Sequence, residues 1–168
     1  MHDKLTRKDI ELMEAELEDR RVNIRPKIIE EVKRTREFGD LSENYEYKAA
    51  RQAQRKNDSR VRYLENMIKT AEIIDEIPKD TDQVKIYDKV TIYLPDDDET
   101  MTVQVVSTVR IQADGGFISM EAPLGKALLG KRVGDTVTVK ASEDFSYDVV
   151  IKKIESSEDD GSVPLLEY

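Results

Sequence analysis

The chain has 168 residues, of which 38% are hydrophobic and 38% are charged, so we expect a modest core and a long, mostly exposed element. It contains no cysteine, which excludes disulfides and thiolate metal sites. Its single histidine, His2, lies in a terminus that we expect to be mobile, so we expect no catalytic Ser-His or Cys-His pair. No apolar run has the length of a membrane span, and the first residues lack a signal-peptide pattern. We therefore predict a cytoplasmic protein with no membrane partner.

The net charge of −9 is divided unevenly along the chain. Residues 1–77 carry 17 basic and 18 acidic side chains, whereas residues 78–168 carry 10 basic and 18 acidic ones. The second half is therefore a poor match for a phosphate backbone. Any contact with nucleic acid would use a local basic stripe in the first half.

The first half has helical periodicity in two stretches, Thr6 to Phe38 and Glu43 to about Asp75. Thr6 and Asp9 have the spacing of a capping box at the start, and Pro26 predicts a kink or frayed turn near residues 22–26. Each stretch has one narrow apolar stripe, which predicts an antiparallel coiled-coil hairpin over residues 1–77. Arms of this length would reach roughly 50 Å. The stripe residues are Ile10, Met13, Leu17, Ile24, Ile28 and Val32 in the first stretch, and Val61, Leu64, Ile68 and Ala71 in the second.

The period changes after a short polar linker at residues 78–84. Residues 85–155 contain alternating and β-branched segments such as "DKVTIYL", "TMTVQVV", "DTVTVKA" and "SYDVVIKKI". "PLGKALLGKRVGD" reads as a short helix that begins at Pro123 and ends at a glycine. We predict an α+β fold class, with a small sheet domain after the hairpin. Residues 156–168 are acidic and are expected to form a mobile tail.

The turn between the two helical stretches, near residues 39–43, carries two acids at a three-residue spacing. Gly39 can end the first helix in a left-handed conformation, and Asp40 with Glu43 can form a capping box for the second. The same two carboxylates can instead bind a hard cation such as Mg²⁺, which takes oxygen ligands. Two acids are too few for a complete site, so a partner would supply the remaining ligands. Spacing alone leaves both interpretations open.

Basic residues follow this turn along the second helix. The fifteen residues from Lys48 to Arg62 contain only one acid, Asp58. Helical spacing puts several of the bases on roughly one face, and further bases lie at matching height on the first arm. Contact with phosphates and simple exposure to solvent are both consistent with this pattern of bases. Tyr45 and Tyr47 can likewise either stack on a nucleobase or cover an apolar seam between the two helices. The face comprises Lys48, Arg51, Arg55 and Arg60, and the first arm adds Lys33, Arg34 and Arg36.

Residues 39–54, "GDLSENYEYKAARQAQ", closely resemble the signature of the bacterial GreA/GreB transcript cleavage factors, which typically reads GDLSEN-x-EY-x-AA. "RPKIIEEVKRTREFGDLSEN" and "APLGKALLGKRVGDTVTVK" extend the resemblance over residues from about 5 to 155. It implies a coiled-coil hairpin followed by an FKBP-like domain that docks on bacterial RNA polymerase. The hairpin of such factors enters the secondary channel and stimulates cleavage of the 3′ end of nascent RNA in backtracked complexes.

By this resemblance, Asp40 and Glu43 are the catalytic tip acids. They would hold Mg²⁺ jointly with the polymerase active site, and the isolated protein would bind none. Arg36, Lys48, Arg51 and Arg55 would form the RNA-contacting basic patch. The chain would be a cofactor of the polymerase rather than an enzyme, working as a monomer and closer to the GreA type.

The sequence departs from the family pattern at two notable positions. Tyr45 stands where alanine is common, and Ala122 replaces the serine that usually precedes the proline. Three other functions remain open at this point. They are a non-cleaving paralogue that occupies the channel and inhibits polymerase, a prolyl isomerase suggested by the FKBP-like fold, and a coiled-coil adaptor.

Overall fold

A computed structural model describes residues 3–39, 44–74, 82–111 and 115–167. These residues form two compact units, one containing residues 10–71 and the other containing residues 4–9 and 72–168. The expected boundary near residues 77–78 lies outside the described residues. Within the described part, no helix is long and apolar enough to cross a membrane. The predicted α+β class, with helices first and a sheet second, is confirmed.

The first unit is a helical hairpin. Its first arm comprises α1 (Arg7–Asp19), a π-helical turn (Arg20–Ile24) and α2 (Arg25–Arg36), and its second arm is α3 (Tyr45–Thr70). Asn44 bonds Thr35 near one end of the hairpin, and Arg60 bonds Glu16 farther along. Residue numbers therefore rise on one arm as they fall on the other, which defines an antiparallel pair.

The π-helical turn explains how the first arm accommodates Pro26. Proline has no backbone N–H and crowds the preceding turn, so an uninterrupted α-helix is disfavoured there. The chain inserts a wider turn, in which the Arg25 N–H donates to the carbonyl of Arg20, five residues back. The predicted irregularity near residues 22–26 is confirmed, and it takes the form of a local widening rather than a break.

The interior of the hairpin combines the predicted apolar stripe with a polar cluster. Arg60, only 6% exposed, donates two hydrogen bonds to the Glu16 carboxylate, at 2.8 and 3.1 Å. Arg20 bridges Glu16 and Asn57, at 2.8 and 2.9 Å. Because this cluster joins the two arms at one height, it favours a single register. The buried apolar residues of the unit include Met13, Leu17, Val32, Ala50, Leu64 and Met67.

The second helix ends earlier than its periodicity predicts. α3 stops at Thr70, Ala71 is extended, and Glu72–Ile73 forms a short strand, β2. β2 pairs in parallel with β1 (Lys4–Leu5), so the prediction of a helix up to Asp75 is wrong. A two-residue strand is too short to produce a period-2 signal. The predicted capping box is confirmed, with the Thr6 N–H bonded to Asp9 Oδ2 and the Asp9 N–H bonded to Thr6 Oγ1.

The second unit is built on a five-stranded sheet, ordered β5-β4-β3-β7-β6. All pairs are antiparallel except β4 with β5, and a bulge between Thr91 and Ile92 interrupts the β3–β7 register. Buried valine, isoleucine and leucine side chains on one side of the sheet form the core with Leu128. The strands are β3 (Lys89–Leu94), β4 (Glu99–Val106), β5 (Phe117–Ser119), β6 (Thr136–Lys140) and β7 (Ser146–Glu155).

The predicted short helix is present as α4 (Pro123–Leu128). Gly125 is required there, because a Cβ at this position would lie 2.1 Å from the carbonyl oxygen of Ser119. Ala122 occupies the N-cap in extended conformation and makes no side-chain capping bond. The alanine that replaces the usual serine therefore leaves this helix without a side-chain cap.

Arg110 is the polar centre of the second unit and has a fully buried side chain. It bonds Asp9 at 3.1 Å and both carboxylate oxygens of Asp159 at 2.8 and 2.7 Å, and its Nε donates to the carbonyl of Val163 at 2.6 Å. The Tyr87 hydroxyl donates to the same Asp9 oxygen. Residues 156–167, expected to be a mobile tail, thus have no regular secondary structure but make defined contacts.

Candidate functional site at the end of the hairpin

The end of the hairpin lies between α2 and α3. α2 ends at Arg36, and Gly39 has a positive φ of 98°, the left-handed conformation predicted for it. A residue with a Cβ would be strained there, although no atom crowds the position. The two candidate catalytic and metal-binding acids, Asp40 and Glu43, lie outside the described residues. The described residues on either side of them are Gly39 and Asn44.

Asn44 is the N-cap of α3. Its side-chain oxygen accepts a hydrogen bond from the Tyr47 N–H at 3.0 Å, and its amide donates to the Thr35 carbonyl on the other arm at 2.8 Å. The interpretation of Asp40 as the N-cap of the second helix is therefore wrong. One asparagine both starts α3 and joins it to the end of α2.

The basic residues predicted from the sequence converge around Tyr47. The Arg36 guanidinium lies 5.9 Å from the centre of the Tyr47 ring. Its hydrogen bond to the hydroxyl lowers the pKa of Tyr47, and the charges of Arg51 and Arg55 act in the same direction. The structure thus brings Arg36, from one arm, together with Arg51 and Arg55, from the other. Lys48 lies on the same helix, beside Tyr45.

Two further aromatic rings near the turn also lie against cations. Tyr45 is 81% exposed, and the Lys48 Nζ is 5.7 Å from its ring centre. Phe38 is 57% exposed, with the Arg34 guanidinium 5.2 Å from its ring centre. Tyr45 therefore does not cover an apolar seam, which was one of its two predicted roles. Sequence reasoning missed Phe38, although its position beside Gly39 and close to three bases was a usable signal.

Two bases of the predicted stripe have other roles. Arg60 is buried against Glu16, so its placement on an exposed basic face is wrong. Arg34 pairs with Glu31 on its own helix and lies 3.6 Å from Glu46 on the other arm. Helical spacing located both residues correctly but gave no information about acids on the facing helix.

The remaining bases of the patch are not neutralised in this way. Among the described residues, no carboxylate forms an ion pair with Arg36, Lys48, Arg51 or Arg55. Arg51 donates to the neutral side chain of Gln54, at 2.7 Å. An anion that approached this surface would therefore meet several positive charges that no described carboxylate offsets. No group of three metal-ligating side chains occurs in the described ranges.

Comparison with known families covers most of the chain. Residues 4–73 match the profile described as Transcription elongation factor, N-terminal. Residues 79–156 match the profile described as Transcription elongation factor, GreA/GreB, C-term. The two matches meet near the expected junction between hairpin and sheet. The segment after residue 156 lies beyond the second profile.

Two GreA sequences agree with this assignment. The chain is 38% identical over 153 residues to Transcription elongation factor GreA of Streptococcus pneumoniae serotype 19F (strain G54), covering 91% of this chain and 95% of that protein. It is 37% identical over 157 residues to the GreA of Chloroherpeton thalassium (strain ATCC 35110 / GB-78), covering 92% and 99%. A crystal structure of GreA factor homolog 1 of Thermus thermophilus aligns with 25% identity and a TM-score of 0.43, covering 93% and 100%. The chain belongs to the GreA/GreB family of transcription elongation factors.

Proposed function

We propose that this protein binds bacterial RNA polymerase as a monomer, enters its secondary channel and stimulates cleavage of the 3′ RNA in backtracked complexes. It acts as a cofactor of the polymerase and not as an enzyme by itself. The observation that carries the proposal is the cluster of Arg36, Arg51 and Arg55 around Tyr47, which pair with no described carboxylate and flank, in the sequence, the segment that contains Asp40 and Glu43. The arginines bind phosphates of the displaced RNA, and the two acids take part in its hydrolysis.

The N-cap at Asn44 supports a catalytic role for the two acids. Because Asn44 already caps α3, the start of this helix needs no carboxylate from Asp40. We infer that both acids serve a partner instead. Paired carboxylates suit a hard cation that keeps part of its coordination sphere for other ligands, so Asp40 and Glu43 would hold Mg²⁺ jointly with the polymerase. When bound, the ion supplies activation of water and stabilisation of the leaving oxygen.

The test is a cleavage assay on a stalled, backtracked elongation complex with Mg²⁺ and labelled RNA. Wild type is compared with Asp40→Asn plus Glu43→Gln. We expect short 3′ fragments with wild type and a loss of at least 100-fold in cleavage rate with the variant, a loss on the scale of removing a group that stabilises the transition state. The matched control is Glu37→Gln plus Asp58→Asn, which makes the same charge change at the C-cap of α2 and within α3 and should cleave like wild type.

Binding is measured in the same reactions by competition with labelled wild-type protein. Equal competition by wild type and the variant, with cleavage by wild type alone, supports the proposal. Equal competition without cleavage by either would refute it and would favour the alternative of a non-cleaving paralogue that inhibits polymerase. Short fragments would place the factor with the GreA type.

A further inference from the structure

Tyr45 is the most exposed large hydrophobic side chain among the described residues of the hairpin, at 81%. It is the first residue of α3, directly after the Asn44 cap, so its backbone is held in place while its ring projects into solvent. Single exposed apolar side chains are common on protein surfaces, so exposure alone assigns Tyr45 no role. The groups around the ring carry the argument instead.

The surroundings of Tyr45 favour one kind of partner. Lys48 lies one turn later, with its ammonium 5.7 Å from the ring centre, so it covers at most one face of the ring. Neither it nor the nearby Arg51 forms an ion pair with any described carboxylate. An open aromatic face beside a cation that pairs with no described carboxylate suits single-stranded nucleic acid, because bases stack on rings while phosphates pair with cations.

We infer that Tyr45 stacks on a nucleobase of the displaced, single-stranded 3′ RNA, with Lys48 on an adjacent phosphate. This inference rests on the proposed function and adds a substrate-positioning residue to it. Stacking is largely independent of base identity, since every base has a π-face. Tyr45 would hold the RNA strand at the tip without specifying its sequence.

The experiment uses full-length protein and a backtracked complex whose displaced RNA contains 2-aminopurine, a base whose fluorescence falls when it stacks. Wild type, Tyr45→Phe and Tyr45→Ala are each added in the Asp40→Asn plus Glu43→Gln background, so that RNA stays intact. We expect quenching with the tyrosine and phenylalanine forms and none with the alanine form. Equal quenching by all three, or none by any at saturating occupancy of polymerase, would overturn the inference.

A second readout measures function with the tip acids present. Tyr45→Ala is expected to raise the concentration needed for half-maximal cleavage about tenfold, equivalent to ~1.4 kcal/mol, while Tyr45→Phe stays within about twofold of wild type. With an abasic nucleotide in the displaced RNA, the difference between Tyr45 and alanine should vanish. A defect of the same size on abasic RNA would show that Tyr45 acts on the polymerase or on folding instead.

One control and two combinations of outcomes separate this inference from the proposed function. Val22→Ala removes another exposed apolar side chain, on the π-helical turn, and should behave like wild type in both readouts. If wild type itself produces no cleavage, the proposed function fails, yet the fluorescence measurement still decides whether Tyr45 stacks on RNA in the complex. If wild type cleaves and all Tyr45 variants match it in both readouts, only the inference fails.

Discussion

Arg110 in the sheet unit and the arginines near the end of the hairpin differ in how their guanidinium groups are buried and paired. Arg110 is fully buried, and two carboxylates, Asp9 and Asp159, bond it. Arg51 and Arg55 lie beside Tyr47 and have no carboxylate partner among the described residues. Arg60 is intermediate, with 6% exposure and an ion pair with Glu16.

This comparison shows that the supply of acids decides what an arginine does. Where acids from distant segments converge, as at Arg110, the guanidinium becomes an anchor whose loss leaves buried charge. Where none converges, it keeps its charge for an external anion. Burial alone would lower the pKa of Arg110, but hydrogen bonding to Asp159 and the other nearby anions raises it. Arg110 therefore stays charged within its unit.

The largest effect is expected from Arg110→Met, which keeps most of the volume and removes the charge. The Asp9 carboxylate, with no exposed surface, would lose its ion-pair partner, so we expect a loss of about 3–5 kcal/mol in the free energy of unfolding. Chemical unfolding followed by circular dichroism measures it. Arg132→Ala is the control, because its pair with Asp82 is exposed and its loss should cost less than about 0.5 kcal/mol.

A milder variant keeps this prediction testable if Arg110→Met does not fold. Asp159→Asn leaves Arg110 and Asp9 paired and weakens only the contact with the C-terminal segment, so about 1–2 kcal/mol should be lost. A loss from either Arg110→Met or Asp159→Asn no larger than that of Arg132→Ala would show that the buried cluster contributes little. The comparison with the hairpin arginines would then fail.

Arg51→Ala plus Arg55→Ala should change stability little and cleavage strongly. With no described carboxylate partner to lose, the unfolding free energy should stay within about 0.5 kcal/mol of wild type. If the proposed function holds, the concentration for half-maximal cleavage should rise about 30-fold, or ~2 kcal/mol, because two contacts to phosphate are removed. The defect should shrink as salt is raised, since screening weakens the wild-type contacts.

The matched control for this pair is Arg25→Ala plus Arg62→Ala, which removes two exposed arginines elsewhere on the hairpin. It should cleave nearly as wild type does. Equal defects in the two double variants would mean that only the overall charge matters. A loss of stability in Arg51→Ala plus Arg55→Ala, comparable with that of Asp159→Asn, would remove the distinction between anchoring and available arginines.

Much of the fold was predictable because its signals are local. Apolar spacing gave the helical arms, alternation gave β3, β4, β6 and β7, and the three-residue spacing of Thr6 and Asp9 gave the capping box. Pro26 marked the irregular turn through its missing N–H. Strands of two residues, β1 and β2, carry no periodicity and were missed.

The candidate site was predictable in composition and less so in detail. The patch bases were identified from their spacing and from the resemblance, but the burial of Arg60 and Arg110 was not. Their acid partners lie 44 and 101 positions away in the sequence, beyond the reach of local patterns. The cap was misassigned because asparagine and aspartate are equally good N-caps, and Asn44 with Tyr47 has the same spacing as Asp40 with Glu43.

The smallest effect is expected at Glu16, which forms an ion pair with Arg60 inside the hairpin. Burial raises the pKa of Glu16, but hydrogen bonds from Arg60 and Arg20 outweigh it, so the folded pKa lies below the ordinary 4.5. A lowered pKa stabilises the folded state above pH 4.5, and this contribution is lost as the pH falls through the folded value. Because Glu16 is partly exposed, we expect Glu16→Gln to cost only about 1 kcal/mol at pH 7.

The measurement that isolates this contribution is urea unfolding of wild type and Glu16→Gln, from pH 7 down to pH 3. The difference between the two curves should be constant above pH 4.5 and should narrow below it, because protonated Glu16 resembles glutamine. Glu14→Gln, an exposed change on the same helix, should track wild type throughout. If the difference in unfolding free energy between wild type and Glu16→Gln is undiminished at pH 3, Glu16 contributes through the geometry of the cluster and not through its charge. A single carboxylate would then not be enough to make Arg60 an electrostatic anchor.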